Sequence, residues 1–226
     1  MPVTPKNIDR NIRLYLKGRD KSKGRRPEER YATFDYCFNY FQSFREKGNI
    51  AAIAAPAHLQ SSCLHLAYYL ASWGMLRGGT VLLEKSLVFY KRLIKYFAGL
   101  NGDPVWEIDV PWYTAANIRK LLRLKDGIRK NLGVQNNPTE TLITKIMLGV
   151  FGNVPAFDSL FKYGFSITEC GESQLKKIAK FYSENKKAID RFKVRTLDFH
   201  TGKETPRRYP KAKLIDMIGF IQGRYY

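Results

Sequence analysis

The chain has 226 residues, of which 44% are hydrophobic and 14% aromatic. This apolar content is enough for the core of one large domain or two small ones, and it excludes an intrinsically disordered tail. Lys and Arg number 39 against 20 Asp and Glu, which gives a formal net charge of +19. Such a charge favours a polyanionic partner, with nucleic acid ahead of an anionic membrane surface. An excess of lysine that serves solubility alone is the remaining alternative.

The cysteines and histidines give no sign of a metal site or a disulfide framework. Cys37, Cys63 and Cys170 lie far apart without a C-x-x-C pair, and the three histidines are not spaced as ligands on one helix face. We therefore expect no metal and no cofactor. The first residues lack the apolar core of a signal peptide, so we expect a reducing, cytoplasmic setting.

The N-terminal segment, residues 1–26, is predicted to be a basic arm that is helical in part. Ile8, Ile12 and Leu16 recur at four-residue steps, which is the spacing of one face of an amphipathic helix. The next helix, 28–47, carries an aromatic stripe. We assign this stripe to the core and not to base stacking, because aromatic side chains at this spacing are usually buried.

Six further helices are predicted from apolar periodicity and from breaks at Gly and Pro, over residues 58–75, 81–97, 115–132, 141–151, 173–190 and 211–221. The longest apolar region, from about Leu64 to Leu83, is interrupted by Gly74 and Arg77. It is therefore predicted to be a core helix and not a membrane span, and no membrane partner is expected.

Alternating residues around Thr201-Gly202 predict a small β-hairpin near the C-terminus. With about eight helices and at most one hairpin, the fold class is predicted to be mainly α. We found no internal repeat and no shift in composition that would mark a domain boundary. A single helical domain over residues 1–226 is expected, with its helical core from residue 27 onwards.

The central segment "LGVQNNPTETLITKIMLGVFGNVPAFDSLF", residues 132–161, contains a glycine turn, a polar loop, an apolar helix and a Val-Pro-Ala-Phe-Asp bend. It resembles the central signature of the helix-hairpin-helix DNA glycosylase superfamily. In that family a Leu-x-Gly-Val-Gly hairpin leads into an apolar helix, and a short loop then delivers an aspartate. Leu132-Gly133-Val134 takes the position of the hairpin, Gln135 stands where its second glycine would be, and Asp158 takes the position of the aspartate.

This resemblance implies a helix-hairpin-helix-like centre, DNA binding and base excision, with DNA favoured over RNA. Asp158 would activate the attacking group and stabilise the positive charge that develops on the sugar. Members that use a lysine nucleophile place it soon after the hairpin, and Lys145 lies further along the same helix. From the residues alone, Asp158 could equally be the N-cap of the helix that begins at Ser159.

Two further sets of site residues are expected. The residues that bind nucleic acid are predicted in the hairpin, on the basic helix and at the turn before residue 81: Gly133, Gln135, Thr139, Arg119, Lys120, Arg123 and Arg77. A pocket for a flipped base needs an aromatic lining, for which Trp106, Trp112, Tyr113 and Phe157 are available.

The Val154-Pro155 pair predicts where Asp158 will lie, because the residue before a proline is steered out of the helical region. We expect Asp158 at the rim of a basic groove, with Lys145 or an aromatic side chain nearby. Two functions of different class follow. One is a DNA glycosylase-like enzyme that uses Asp158, and the other is a non-catalytic helical protein that binds DNA or RNA.

Overall fold

A computed structural model of the chain describes residues 3–19, 23–78, 80–133 and 138–226. Within these ranges the helices are α1 (Ile8–Lys17), α2 (Thr33–Glu46), α3 (Pro56–Ser72), α4 (Lys91–Ala98), α5 (Ala115–Asn131), α6 (Glu140–Ile146), α7 (Ser159–Phe165), α8 (Glu172–Glu184), α9 (Lys186–Asp190) and α10 (Lys211–Tyr225). An antiparallel pair of strands, β1 (Arg195–Leu197) and β2 (Glu204–Arg208), precedes α10. The prediction of a mainly α fold with one small hairpin near the C-terminus is confirmed.

Several predicted helices differ from the observed ones at their ends. Only the second half of the helix predicted over 81–97 is α-helical, because two 3₁₀ turns, Val81–Glu84 and Leu87–Tyr90, precede α4. Just before these turns, the Thr80 hydroxyl stabilises a bend in the chain by donating to the carbonyl oxygens of Met75 and Arg77 at 2.9 and 2.8 Å. The helix predicted over 173–190 is divided at Asn185 into α8 and α9.

The N-terminal segment packs into the fold through α1. Its buried face consists of Ile8, Ile12 and Tyr15, while Leu16 is only partly buried. The buried side chain of Asn11 donates to the carbonyl oxygen of Ile218 in α10 at 3.0 Å. The amphipathic helix predicted here is therefore confirmed. At its C-terminal end Tyr15, and not the predicted Leu16, occupies the buried face.

The apolar helix predicted over residues 141–151 is deeply buried. It begins as α6 and continues as a π-helical turn, Met147–Phe151. The side chains predicted to form its buried face are indeed buried: Leu142, Ile143, Ile146, Met147 and Val150. Gly149 lies against Tyr69 of α3, where an added Cβ would come within 2.3 Å of the ring. The glycine therefore allows α3 to approach this turn closely.

The last helix, α10, is longer than predicted and is buried from Ala212 to Gln222. It packs against α7 at glycines of both helices, since a Cβ added to Gly164 would lie 2.3 Å from the carbonyl oxygen of Gly219. This close contact brings the polar residues of α10 behind the start of α7, where Asp158 lies. In the part of the chain that the structure describes, no helix combines the length and apolar character needed to cross a bilayer.

Candidate active site

A cavity of about 920 Å³ opens between the end of α3, the segment that follows α3, the first turns of α6 and the start of α7. Among the described residues of its wall, Asp158 is the one acidic side chain, and five are cationic: Arg30, Arg77, Lys85, Lys145 and Lys162. Trp73 and Phe220 supply the aromatic part of the wall. The cavity is therefore suited to an anionic ligand that has a flat or apolar portion.

Asp158 uses its two carboxylate oxygens differently. The Oδ1 atom accepts the N–H of Phe161 at 2.9 Å, which makes Asp158 the N-cap of α7. The Oδ2 atom lies 3.6 Å from Nζ of Lys145 at the wall of the cavity. The two alternatives for Asp158, a helix cap and a site residue, are thus compatible in one geometry.

The extended segment before Asp158 is held by side chains of two helices. The N–H of Ala156 donates to Oδ1 of Asp216 in α10 at 3.1 Å. The N–H of Phe157 donates to the Thr144 hydroxyl at 2.9 Å, and the Thr141 hydroxyl donates to the Phe157 carbonyl oxygen at 3.0 Å. These buried backbone groups have no partners in regular secondary structure, so the side chains both satisfy them and fix the position of the aspartate.

Lys145 reaches the cavity from α6 and is 5% exposed. Its ammonium donates to the carbonyl oxygen of Trp73 at 2.9 Å and lies 5.8 Å from the centroid of the Trp73 ring. Burial lowers the pKa of Lys145, and the carboxylates of Asp158 and Asp216 oppose that shift in part. A lysine whose pKa is lowered supplies more neutral amine near neutral pH, which suits it to nucleophilic or proton-transfer chemistry.

Trp73 ends a stack of three aromatic rings. Tyr15 and Tyr31 are stacked with 4.5 Å between ring centroids, and Tyr31 and Trp73 are stacked at 5.5 Å. Phe220 meets the Trp73 ring edge-on at 5.6 Å, and the Arg30 guanidinium lies 5.2 Å from its centroid. The aromatic side of the cavity is therefore backed by further packed rings and is expected to be rigid.

A second buried ion pair lies behind the first. Nζ of Lys213 is 2.8 Å from Oδ2 of Asp216, and the Lys213 side chain is 1% exposed. Neither residue lines the cavity, but Asp216 holds the segment that carries Asp158. Sequence reasoning missed this pair, because two charged residues three positions apart in a short terminal helix usually form a solvated face.

Five of the predicted site residues lie together at the cavity: Asp158, Lys145, Arg77, Gly133 and Thr139. The predicted residues of the basic helix are on α5 and do not line the cavity; Arg119 and Arg123 are exposed there, and Lys120 is partly buried. Val134 and Gln135 lie outside the described residues. The connection between α5 and α6 contains Gly133 in the left-handed region, at φ 62°, and ends with Thr139, whose hydroxyl caps α6.

None of the four aromatic residues predicted for the base pocket lines the cavity. Trp106 is buried against Phe151, and Phe157 is fully buried. Tyr113 is also buried, with its hydroxyl donating to the Asn153 carbonyl oxygen at 2.5 Å. Trp112 is 65% exposed. Trp106, Phe157 and Tyr113 lie in the core, because burial of their apolar surface is favourable. The aromatic wall of the cavity is formed by Trp73 and Phe220 instead.

Comparisons of the chain with protein families, with curated proteins and with solved structures gave no match. Within the described ranges, no cluster of three or more His, Cys, Asp or Glu side chains could hold a metal ion.

Proposed function

We propose that this chain binds nucleic acid and cleaves the N-glycosidic bond of a nucleotide that is turned out of its strand into the cavity. One observation carries the proposal. The amine of Lys145 and the carboxylate of Asp158 are 3.6 Å apart in the wall of a cavity whose other described charged side chains are all cationic. A positioned amine and a carboxylate are the two groups that base excision through a covalent intermediate requires.

The rest of the wall supports a nucleotide as the ligand. Arg30, Arg77, Lys85 and Lys162 can neutralise the phosphates on either side of a flipped nucleotide. Trp73 and Phe220 offer aromatic surface to a base. The net charge of +19 supports a polymer over a free nucleotide, because many charges far from the cavity would also contact a phosphate backbone.

The proposed reaction starts from the neutral amine of Lys145. The nitrogen attacks C1′ of the sugar, so the new C1′–N bond forms as the bond between C1′ and the base breaks and its electron pair leaves with the base. The attached nitrogen then gives a proton to Asp158, which passes it to the departing base. Before that transfer the ionised carboxylate of Asp158 stabilises the positive charge on the sugar.

The test is incubation of the purified protein with single- and double-stranded oligonucleotides that each contain one damaged or modified base. Base release and covalent trapping by borohydride are measured. Trapping follows from the reaction because the lone pair of the attached nitrogen opens the sugar ring, the C1′–O4′ bond breaks as O4′ takes up a proton, and the resulting imine is reduced by borohydride. We expect the wild type to act on at least one substrate. Lys145→Gln and Asp158→Asn should lose about 10²-fold or more of the rate while binding changes little. Lys180→Gln, which changes an exposed lysine of α8, is the control.

A second candidate function, a non-catalytic protein that binds DNA or RNA, is favoured by a different observation. Asp158 caps α7, and Lys145 donates to the Trp73 carbonyl oxygen, so both groups have structural partners. Binding without base release or trapping on any substrate would favour this function. Absence of binding to DNA and RNA at low salt would refute both.

A further inference from the structure

The Lys213–Asp216 pair is unusual because both charges are withdrawn from water. Lys213 is 1% and Asp216 is 6% exposed, and the two side chains are 2.8 Å apart. The ammonium lies 4.8 Å from the ring centroids of Tyr15 and Phe34, and 5.2 Å from that of Trp73. Lysine is rarely buried this completely, and a buried ion pair often stabilises a fold no better than apolar side chains of similar volume.

Asp216 connects this pair to Asp158 through the backbone. Its Oδ2 atom faces Lys213, and its Oδ1 atom accepts the N–H of Ala156 at 3.1 Å. Ala156 is two residues before Asp158 in the extended segment. Fixing that N–H therefore fixes the start of the turn from which the Asp158 carboxylate reaches Lys145.

Trp73 connects the pair to Lys145. Its carbonyl oxygen accepts from the Lys145 ammonium, and its ring centroid lies 5.8 Å from Nζ of Lys145 and 5.2 Å from Nζ of Lys213. The same tryptophan thus contacts both ammonium groups. A change in the buried pair is transmitted to Lys145 both by packing and by charge.

We propose that Lys213 and Asp216 are positioning residues for the Lys145–Asp158 pair: they hold the backbone that carries Asp158, and Asp216 supplies negative charge behind the Lys145 amine. They do not touch the cavity, so they act on the reacting groups and not on the substrate. The inference rests on the proposed function only in taking Lys145 and Asp158 as the reacting pair.

The charges that face Lys145 come from three directions. Asp158 lies before α7, Asp216 is on α10, where it is paired with Lys213, and Arg30 precedes α2. Both carboxylates raise the pKa of Lys145, whereas burial, as the largest influence, and Arg30 lower it. Removing the charge of Asp216 should therefore lower the pH at which Lys145 becomes a free amine.

The experiment measures the protonation of Lys145 directly and needs no substrate. Wild-type protein is labelled with acetic anhydride over a series of pH values, and the extent of acetylation at Lys145 is read by peptide mass spectrometry. Asp216→Asn keeps an oxygen for the Ala156 N–H and removes the charge. The labelling midpoint is the pH at which acetylation of Lys145 reaches half of its maximum, and we expect it to fall by about one pH unit. At a fixed pH below both midpoints, this corresponds to about tenfold more free amine.

Two further variants complete the design. Lys213→Met with Asp216→Asn removes both charges with little change of volume, and its midpoint should move less than that of Asp216→Asn, because the lost positive and negative charges act on Lys145 with opposite sign. Asp190→Asn breaks the pair of Asp190 with Lys211, also on α10, and should leave the Lys145 midpoint unchanged. The control therefore removes the same type of charge, from a pair that also involves a lysine of α10, but away from the cavity.

An unchanged midpoint in folded Asp216→Asn, or the same shift in Asp190→Asn, would overturn the inference. Loss of folded protein in both Asp216 variants would assign the pair to stability alone and would also overturn it. Failure of the wild type to cleave any substrate would refute the proposed reaction without moving these midpoints. The two failures are therefore distinguishable.

Discussion

The Oδ2 atom of Asp158 lies 3.6 Å from Nζ of Lys145, while Oδ1 of the same carboxylate caps α7. The side chains of this pair are 15% and 6% exposed, so water screens their attraction only in part. Each oxygen of Asp158 has a separate partner. The charge of this residue and its capping function can therefore be removed separately by mutation.

Asp158→Asn and Asp158→Ala should destabilise the protein for different reasons. Asn keeps an oxygen for the Phe161 N–H and removes only the charge that faces Lys145. We expect it to lower the free energy of unfolding at neutral pH by about 1–3 kcal/mol, because a largely buried ammonium loses its partner. Ala also removes the cap, which should cost about 1 kcal/mol more. Denaturant unfolding measures both differences.

The control for this comparison is Asp126→Asn, which breaks the pair of Asp126 with Arg129 on the exposed face of α5. Such surface pairs contribute about 0–1 kcal/mol. If Asp158→Asn were as stable as the wild type and Asp158→Ala were not, Asp158 would act in stability as a cap alone.

The helix that carries Lys145 should be sensitive to truncation of its buried side chains. Ile146 is 0% and Leu142 is 4% exposed. Replacing either with Ala should lower the free energy of unfolding by about 2–5 kcal/mol, with Leu142 at the lower end because it also borders the cavity. Leu64→Ala on the exposed side of α3 is the control. A loss no larger than that of Leu64→Ala would contradict the buried position of α6.

Local signals in the sequence predicted α5, the buried face of α6 and the position of Asp158. The spacing of Leu142, Ile143 and Ile146 predicts one buried helix face, and these residues lie within two helical turns of each other. The bend before Asp158 follows from Val154-Pro155, since the proline restricts its neighbour. These features depend on residues close together in the chain, and a single sequence contains that information.

The partners of the site residues could not be predicted, because they are set by contacts between distant segments. Lys145 meets the carbonyl of Trp73, 72 positions away, and Ala156 meets Asp216, 60 positions away. Trp73 was visible only as a large aromatic residue beside Gly74 at the end of a helix. Nothing in its local pattern distinguishes it from Trp106, which the core buries.

Binding to nucleic acid should depend steeply on salt. If six or more phosphates are neutralised, the affinity should fall by about 10³-fold or more between roughly 50 and 200 mM salt, because counterions are released on binding. Changing Arg77 and Lys85 to Gln should reduce the slope of log affinity against log salt by about 1 for each lost phosphate contact. Lys180→Gln serves as the control, and fluorescence anisotropy measures the series. A flat salt dependence would exclude a phosphate-dominated interface.

The buried carboxylate of Asp35 should make stability depend on pH. Asp35 accepts hydrogen bonds from Arg25 at 2.9 Å, from the Leu197 N–H at 3.1 Å and from the Tyr209 hydroxyl, and so ties the C-terminal hairpin to α2. Its burial outweighs these favourable contacts and raises the pKa of Asp35 to about 6 from the ordinary value of 3.8. In the folded state the carboxyl therefore holds its proton to a higher pH than in the unfolded chain.

The sign of the effect follows from that difference. A group whose pKa is raised by folding contributes stability that is fully present below its unfolded pKa and is lost as the pH rises through its folded pKa. The free energy of unfolding of the wild type, minus that of Asp35→Asn, should therefore fall by roughly 2–3 kcal/mol from about pH 4 to about pH 6. Asp9→Asn is the control of opposite sign, because hydrogen bonding to Arg13 lowers the pKa of Asp9. If the Asp35 difference rose with pH, the hydrogen bonds from Arg25 and Tyr209 would outweigh burial, and the pKa of Asp35 would be lowered.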